Sequence, residues 1–408
     1  MEKIWNDMNW KTWNRDNILI TSWRSYVALE LIRILWDQND VFSADSKNHA
    51  LSNVSRYTKK SFLLPSPKID INEYKTRILN IINDNSVSYL IPTCEEIFYI
   101  SYIKDFIEDN SDCKVFCSDF PLLKKLHSKF EYAHILPLDD RIHVPETRIF
   151  MSISEVESFL RDNPAYKYVL KNEFSRFGTN IASNAIPDMP IGNFNSNPDN
   201  KLILQEYIQW TQVCTYSVFS HGKLMIHSSY KNNLTHWNWS WISFESYRTD
   251  EIIDFLTKFW HQTWFHGQIA FDLIKNDDGI HIIECNPRTT SWVHLFADSE
   301  DFRLKFLDSM ERWWESDTVL TPSYQDKSFK LILFFTMNEF IFSGKLRPFL
   351  SSIFKSEDIV YAKNDRLPFF YQIYDYFCYV REAIAKKKKI TDCMTDDIEY
   401  NWDKDLPK

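Results

Sequence analysis

The sequence predicts a chain of mixed class, α/β and then α+β, with an open parallel-sheet unit first. Three observations lead there. Strand and helix signals alternate through the first 118 residues, hairpin signals replace them in the middle of the chain, and 408 residues is about two to three times the usual domain size. In the first part, residues 17–21 read as a buried strand, 25–37 carry helical apolar spacing and 40–45 form a second strand. A helix over 72–82, a strand over 88–92, a helix over 95–106 and a strand over 114–117 continue the order that makes parallel βαβ units. Ligands of such sheets bind beyond the carboxyl ends of the strands, where residues 21–24, Asp45 and residues 93–96 would lie. Turn chemistry accounts for the same residues equally well.

From about residue 121 to 295 the pattern changes. Residues 168–171, 201–205 and 214–219 are strand-like, and the last of these meets 223–230 across His221-Gly222. An amphipathic helix follows over 248–263. Residues 268–274 and 279–284 then flank the turn Lys275-Asn-Asp-Asp-Gly279 as a second antiparallel hairpin. Residues 183–200, rich in Asn, Pro and Asp, read as a loop. Residues 301–408 mix helix and strand signals without an internal repeat, and Lys386 to Lys389 read as a solvated helix end. The expected units are 1–118, 119–300 and 301–408.

Composition excludes several classes. A hydrophobic fraction of 44% and a charged fraction of 25% are those of a globular protein with a sizeable core. With 47 basic against 56 acidic side chains the net charge is -9, which leaves no basic excess for a nucleic-acid backbone. The start lacks a basic and then apolar leader, and no apolar run approaches the roughly 20 residues that span a bilayer. A soluble, cytoplasmic protein with no membrane or nucleic-acid partner is expected. The seven cysteines read as free thiols, because Cys113 and Cys117 have no second pair or histidine to complete a zinc set. Six glycines stand against 15 tryptophans and 31 phenylalanines, so any glycine loop rests on few residues.

The chemistry concentrates in Gly279-Ile-His-Ile-Ile-Glu-Cys-Asn-Pro-Arg288, which its turn pairs with Phe271-Asp272-Leu273. Alternate side chains of a strand share a face, so Glu284 and Asn286 point the same way and Arg288 follows beyond Pro287. If Asp272 faces that side too, the hairpin offers two carboxylates and an amide oxygen, a set that suits hard magnesium ions. Arg288 would then hold a transferring phosphoryl group. A solvated hairpin face with a strand-end salt bridge is the alternative. Lys171 lies mid-strand in an apolar run, where an unpaired ammonium is costly, so a buried anion is its expected partner.

The stretch from His266 to Asp272, with Ile283-Glu-Cys-Asn-Pro-Arg-Thr-Thr-Ser291 and Val293-His-Leu295, closely resembles the metal-binding end of ATP-grasp enzymes, in the branch similar to carbamoyl-phosphate synthetase. Val169-Leu-Lys-Asn-Glu-Phe-Ser-Arg-Phe-Gly-Thr179 resembles that family's lysine strand and phosphate-covering loop. Leu204-Gln-Glu-Tyr-Ile208, followed by Cys214-Thr-Tyr-Ser217, resembles its adenine hinge. Ser88-Tyr-Leu-Ile-Pro-Thr93 with Glu95-Glu96 is similar to the preceding, Rossmann-like domain, and Asp358-Ile-Val-Tyr361 and Asp397-Ile-Glu-Tyr-Asn401 give weaker echoes. The resemblance implies a pre-ATP-grasp domain, a two-subdomain ATP-grasp fold and a C-terminal mixed α/β extension.

By the same resemblance, Asp272, Glu284 and Asn286 would hold magnesium, as two ions bridged by Glu284 and replaceable by manganese. Lys129 and Lys171 correspond to lysines that contact nucleotide phosphates, although Lys129 also reads as part of a solvated basic helix over 124–129. Ser175, Arg176 and Gly178 would cap the triphosphate. Glu206, Tyr207 and Ile208 would meet the adenine edge, and Gln212 falls where the family usually has a ribose-binding glutamate. Arg288 and Lys171 would stabilise the moving phosphoryl group. The implied activity is ATP-dependent joining of a small carboxylate, activated as an acyl phosphate, to an amine. The alternatives are phosphorylation of an enol or bicarbonate oxygen, and an inactive nucleotide sensor or scaffold. A homodimer is implied only by analogy.

The departures from the family concern bulk. Trp210 and Trp292 stand where glycine is common, and residues 232–243, with Trp237-Asn-Trp-Ser-Trp241, replace a glycine-containing loop. Tryptophan here reads either as a wall for an apolar or aromatic substrate or as core packing, the second being favoured for Trp210. Cys214 and Cys285 are expected to alternate with the functional face as core thiols. His294 reads as an acceptor-pocket residue or as a structural histidine.

Overall fold

The computed structural model describes residues 15–176, 181–186, 189–192, 194, 197–236, 240–247, 250–297, 299–310, 318–323, 326–335, 346–401 and 406. Five strands form the first sheet: β1 (Asn17–Thr21), β2 (Asp40–Asp45), β3 (Lys60–Leu63), β4 (Tyr89–Ile91) and β5 (Lys114–Val115). Their order is β3-β2-β1-β4-β5, and every pair is parallel, as the alternating signals predict. β1 is apolar on both faces because helices cover both. Ile18 and Ile20 pack with α1 (Tyr26–Leu35), whereas Leu19 packs with α2 (Ile71–Asp84). Ser25 caps α1 by accepting from the Val27 N–H, and Asp70 caps α2 by accepting from Asn72 and Glu73.

The helix expected over 95–106 is two helices, α3 (Ile97–Tyr102) and α4 (Lys104–Asp109). The chain leaves helical geometry at Ile103, with φ -99° and ψ 9°. Lys104 then bonds the Cys117 carbonyl at 3.0 Å and Asp119 at 3.1 Å, tying the second helix to the end of β5. The next helix, α5 (Phe120–His127), stops short of Lys129, which is 3% exposed. The solvated helical face considered for that lysine is therefore not what forms.

A short strand, β6 (Ile142–His143), precedes a small antiparallel sheet of β7 (Thr147–Phe150), β8 (Tyr168–Asn172), β9 (Ala182–Ser183) and β10 (Leu202–Glu206), ordered β7-β10-β8-β9. One face packs Leu170, Leu202 and Leu204 against Val156 of α6 (Ile153–Asp162). Alternation puts Lys171 and Gln205 on the other face.

The large sheet adds β11 (Thr211–Ser220), β12 (Lys223–His236), β13 (Ser240–Ser246), β14 (Gly267–Lys275), β15 (Ile280–Asn286), β16 (Asp326–Ser328) and β17 (Glu357–Asp358). Its order is β17-β16-β13-β12-β11-β14-β15-β6. Both predicted hairpins are present, β11 with β12 and β14 with β15. The second turns at Gly279, whose φ of +144° and lack of a side chain let the Arg141 carbonyl approach and accept the Ile280 N–H at 2.8 Å. Helix α7 (Asp250–Thr263) packs Phe255 and Phe259 beneath Phe271 and Cys285. On the opposite face, Cys214, Tyr216 and Tyr230 pack with Phe302 and Phe306 of α8 (Glu300–Met310). The segment after residue 301 continues this sheet through β16 and β17, accompanied by α9 (Lys330–Phe335) and α10 (Leu346–Lys355). Helices α11 (Leu367–Lys386) and α12 (Ile390–Cys393) then return to the first sheet, where Asp365 meets Arg33 at 2.9 Å, Asp375 meets His49 at 2.7 Å and Asp397 meets Arg24 at 2.6 Å.

Candidate active site

The site is built on the β14–β15 hairpin. Asp272 lies directly opposite Glu284, and Asn286 follows two residues later on the same face, as alternation predicts. The Asn286 amide donates to Asp272 at 3.3 Å, and its carbonyl oxygen accepts from Arg288 at 3.0 Å. Three oxygen-bearing side chains and a guanidinium are thus gathered as expected. Two charged groups descend on them from other elements. Lys171 of β8 donates to the Gln205 amide oxygen at 3.0 Å and to the Ile283 carbonyl at 3.3 Å. Lys129, just past α5, donates to the Ser175 carbonyl at 2.6 Å and lies 3.6 Å from Glu284.

The anion expected against Lys171 is not its direct partner. Among the described residues its hydrogen bonds go to neutral oxygens, while Glu284 is paired by Lys129. Burial lowers Lys171 to about 8, with Glu284 pulling the other way. Asp272 is pushed up, first by burial and then by the charge of Glu284 across the hairpin. In Glu284 the upward push of burial is outweighed by Lys129 and Lys171, which hold it below its ordinary value. Two facing, partly buried carboxylates with an amide oxygen beside them are a donor set of the kind hard cations take. The described residues hold no group of three His, Cys, Asp or Glu side chains placed for a metal, so the donor set here is two carboxylates with an amide.

Arg288 is held from outside the hairpin. Its Nε donates at 2.8 Å to Glu95, which follows β4 of the first sheet and is 1% exposed. Arg176 lies 3.6 Å from the same carboxylate oxygen and its guanidinium also reaches the Cys94 sulfur. Burial would raise Glu95, but Arg176, Arg288 and His127 together bring it down to about 2. Glu95 lay among residues 93–96, singled out for their position at a strand end, and its role of gathering two arginines was missed. Two adjacent glutamates after a buried strand were the available signal. The rest of that group is taken up internally: Glu96 accepts from Thr21 at 2.7 Å, from the Thr93 amide at 2.9 Å and from Ser22, while Arg24 is enclosed by Asp45 and Asp397.

The residues expected at an adenine edge lie at the end of β10 and on the connection to β11. The Glu206 and Tyr207 amides donate to the carbonyls of Glu146 and Lys167 at 2.8 and 2.9 Å, and Ile208 follows. Gln212 is half-buried on β11, two residues before Cys214 and so on the same face as Asp272. The Ser175 carbonyl accepts from Lys129 and Arg176 lies against Glu95, whereas Gly178 lies outside the described residues.

Two expectations are corrected. Cys214 does not alternate with the functional face: it lies opposite Asp272, shares its side and hydrogen-bonds it, because directly opposed residues of an antiparallel pair point the same way. Cys285, opposite Phe271, is in the core as expected. Trp210 is not core packing, since it is 65% exposed in the connection before β11. His294 is enclosed and donates from Nδ1 to Glu30 of α1 at 2.9 Å, the structural reading of that residue. The Trp292 side chain and residues 237–239 lie outside the described residues.

No family model matches this sequence, and no curated protein matches it. Solved structures do. N5-carboxyaminoimidazole synthetase from Staphylococcus aureus matches with a TM-score of 0.56 at 11% identity, over 80% of this chain and 86% of its own. The L-amino acid ligase from Bacillus licheniformis gives 0.56 at 10% identity, over 74% of this chain and 76% of its own. The biotin carboxylase domain dimer of Hydrogenobacter thermophilus 2-oxoglutarate carboxylase, solved with MgADP, ADP and bicarbonate, gives 0.56 at 10% identity, over 75% and 72%. Identities this low carry the fold and leave the chemistry to the residues.

Proposed function

We propose that this chain, which has the ATP-grasp fold, is an ATP-dependent ligase that activates a small carboxylate as an acyl phosphate and joins it to an amine. The observation that carries the reading is the single face of β14–β15, where Asp272, Glu284 and Asn286 lie beneath Lys129 and Lys171 with Arg288 beside them. The donors fit magnesium or manganese: two facing carboxylates and an amide, all oxygen ligands on one face of the hairpin. Asp272, Glu284 and Asn286 would hold the metal, which would supply neutralisation of charge on the phosphates. A synthetase and a ligase among the fold's relatives support the same reaction type.

In this reading residues 119–300 bind ATP, residues 1–118 face the acceptor and residues 301–408 close the large sheet. Lys129 and Lys171 balance the nucleotide phosphates, Ser175, Arg176 and Gly178 cover them, Glu206 to Ile208 border the adenine and Gln212 reaches the ribose. A carboxylate oxygen attacks the γ-phosphorus and ADP leaves. Arg288 and Lys171 stabilise the charge that develops there. The amine then attacks the acyl carbon, and phosphate leaves with the bonding electron pair and takes up the proton that the amine nitrogen sheds, giving an amide.

The test is incubation with MgATP and pools of carboxylic acids and amines, read by phosphate release and by the mass of the adduct. Turnover that Glu284→Gln abolishes while nucleotide binding persists is the expected result. Binding without turnover across wide pools overturns the ligase in favour of a sensor.

A further inference from the structure

A cavity of about 770 Å³ opens between the second half of α1, the start of α8 and the segment around β17. Its size is that of a small-molecule site. None of Lys129, Lys171, Asp272, Glu284, Asn286 and Arg288 lines it, so it is separate from the hairpin site. Among its most enclosed lining groups are His294, 2% exposed, and Arg303, 8% exposed. Glu30 takes the Nδ1 of His294, but its Nε2 has no hydrogen-bond partner among the described residues, and neither has the Nε of Arg303. Buried polar atoms left in this state are costly, and they stand where a ligand could satisfy them.

The lining also gives the sign of the charge it would accept. Its carboxylates are already engaged. Glu30 meets His294 at 2.9 Å, Asp37 and Glu300 meet Arg303 at 2.6 and 3.1 Å, and Glu357 meets Lys327 at 2.6 Å. Asp358 accepts from the backbone amides of Lys330, Val360 and Tyr361 at 2.9, 2.8 and 2.6 Å. Two cations remain. Lys330, half-buried, and Lys363, exposed, have no carboxylate within ion-pair distance among the described residues. An anion therefore gains ammonium partners here, whereas a cation finds every carboxylate taken. The rest of the wall is aromatic. Trp36 stacks on Tyr57 with ring centroids 4.3 Å apart, and Tyr361 meets Phe369 edge-on at 5.6 Å. Trp36 and Tyr361 are still 37 and 44% exposed, which leaves flat apolar surface for a ring.

We propose that this cavity binds a small planar anion, an aromatic ring bearing one carboxylate or phosphate group. Lys330 and Lys363 hold the anionic group, Trp36 and Tyr361 flank the ring, and His294 offers Nε2 to a polar ring substituent. The proposal does not depend on the ligase reading.

Isothermal titration calorimetry of the full chain is the test, with phenyl phosphate, benzoate, cyclohexanecarboxylate and inorganic phosphate as probes, each with and without MgADP. Phenyl phosphate or benzoate should bind once per chain in both conditions, and the tighter of the two identifies the anionic group. Cyclohexanecarboxylate, which is not flat, and inorganic phosphate, which has no ring, should bind about tenfold more weakly. Lys330→Ala combined with Lys363→Ala should weaken the planar anion about tenfold, and Tyr361→Ala about threefold, with unchanged circular dichroism spectra. No binding of either planar anion at about 10 mM overturns the proposal. Displacement by MgADP, equal affinity for a control anion, or full affinity in the double lysine variant also overturns it.

Discussion

At the scale of single residues, Glu95 joins the first sheet to the β14–β15 hairpin. One carboxylate, 1% exposed, balances Arg288 and Arg176, so removing its charge leaves two largely buried guanidinium groups without their shared anion. Breaking a buried pair of this kind costs about 3 kcal/mol. Glu95→Gln should lose about that much in urea unfolding at neutral pH. The sign of the pH effect follows from the folded value of about 2, below the unfolded glutamate. The contribution is complete above about 4.5 and disappears as pH falls toward 2, with more protons bound by the unfolded state. The variant should therefore lack this part of the acid-side slope. Equal stability of the two proteins from neutral to acid pH would remove Glu95 from its role.

At the scale of elements, the sequence was most legible where periodicity and turn chemistry agreed. The β14–β15 hairpin is the clearest case: two apolar runs flank a turn ending in glycine, and the strand period alone puts Glu284 and Asn286 on one side. The glycine is needed for two reasons, a φ of +144° and the Arg141 carbonyl occupying the place of a Cβ. Gly279→Ala should cost roughly 2–4 kcal/mol, seen as a lowered melting temperature, and an unshifted melt would show that the turn relaxes freely. The helix over 95–106 was less legible, because its break at Ile103 is set by where Lys104 reaches across to Cys117 and Asp119. Cys214 was misplaced because its facing follows from its pairing register with Asp272, which spacing along its own strand does not fix.

At the scale of the whole molecule, the parallel order of the first sheet was readable from alternation, and the placement of the last third of the chain was not. Residues 301–408 mix their signals because their strands are short and complete a sheet begun elsewhere: β16 pairs with β13 and β17 with β16. The encirclement of Arg24 by Asp45 and Asp397 likewise depends on a contact spanning 373 residues, for which local pattern has no vocabulary. Both partners are largely buried, and Arg24 holds Asp397 at about 2 against the upward push of burial. Asp397→Ala should destabilise the protein by about 3 kcal/mol. The fast-exchanging amides in hydrogen exchange should then include those of β1 and β2, far away in sequence; protection unchanged in those strands would show that the first sheet stands without its distant partner.

That same ring around Arg24 bears on how the protein is made. The amino-terminal sheet emerges from the ribosome early, yet the carboxylate that completes its charge balance is synthesised some 370 residues later. During that interval the nascent sheet carries a guanidinium matched by Asp45 alone, and final consolidation waits until translation has passed residue 397.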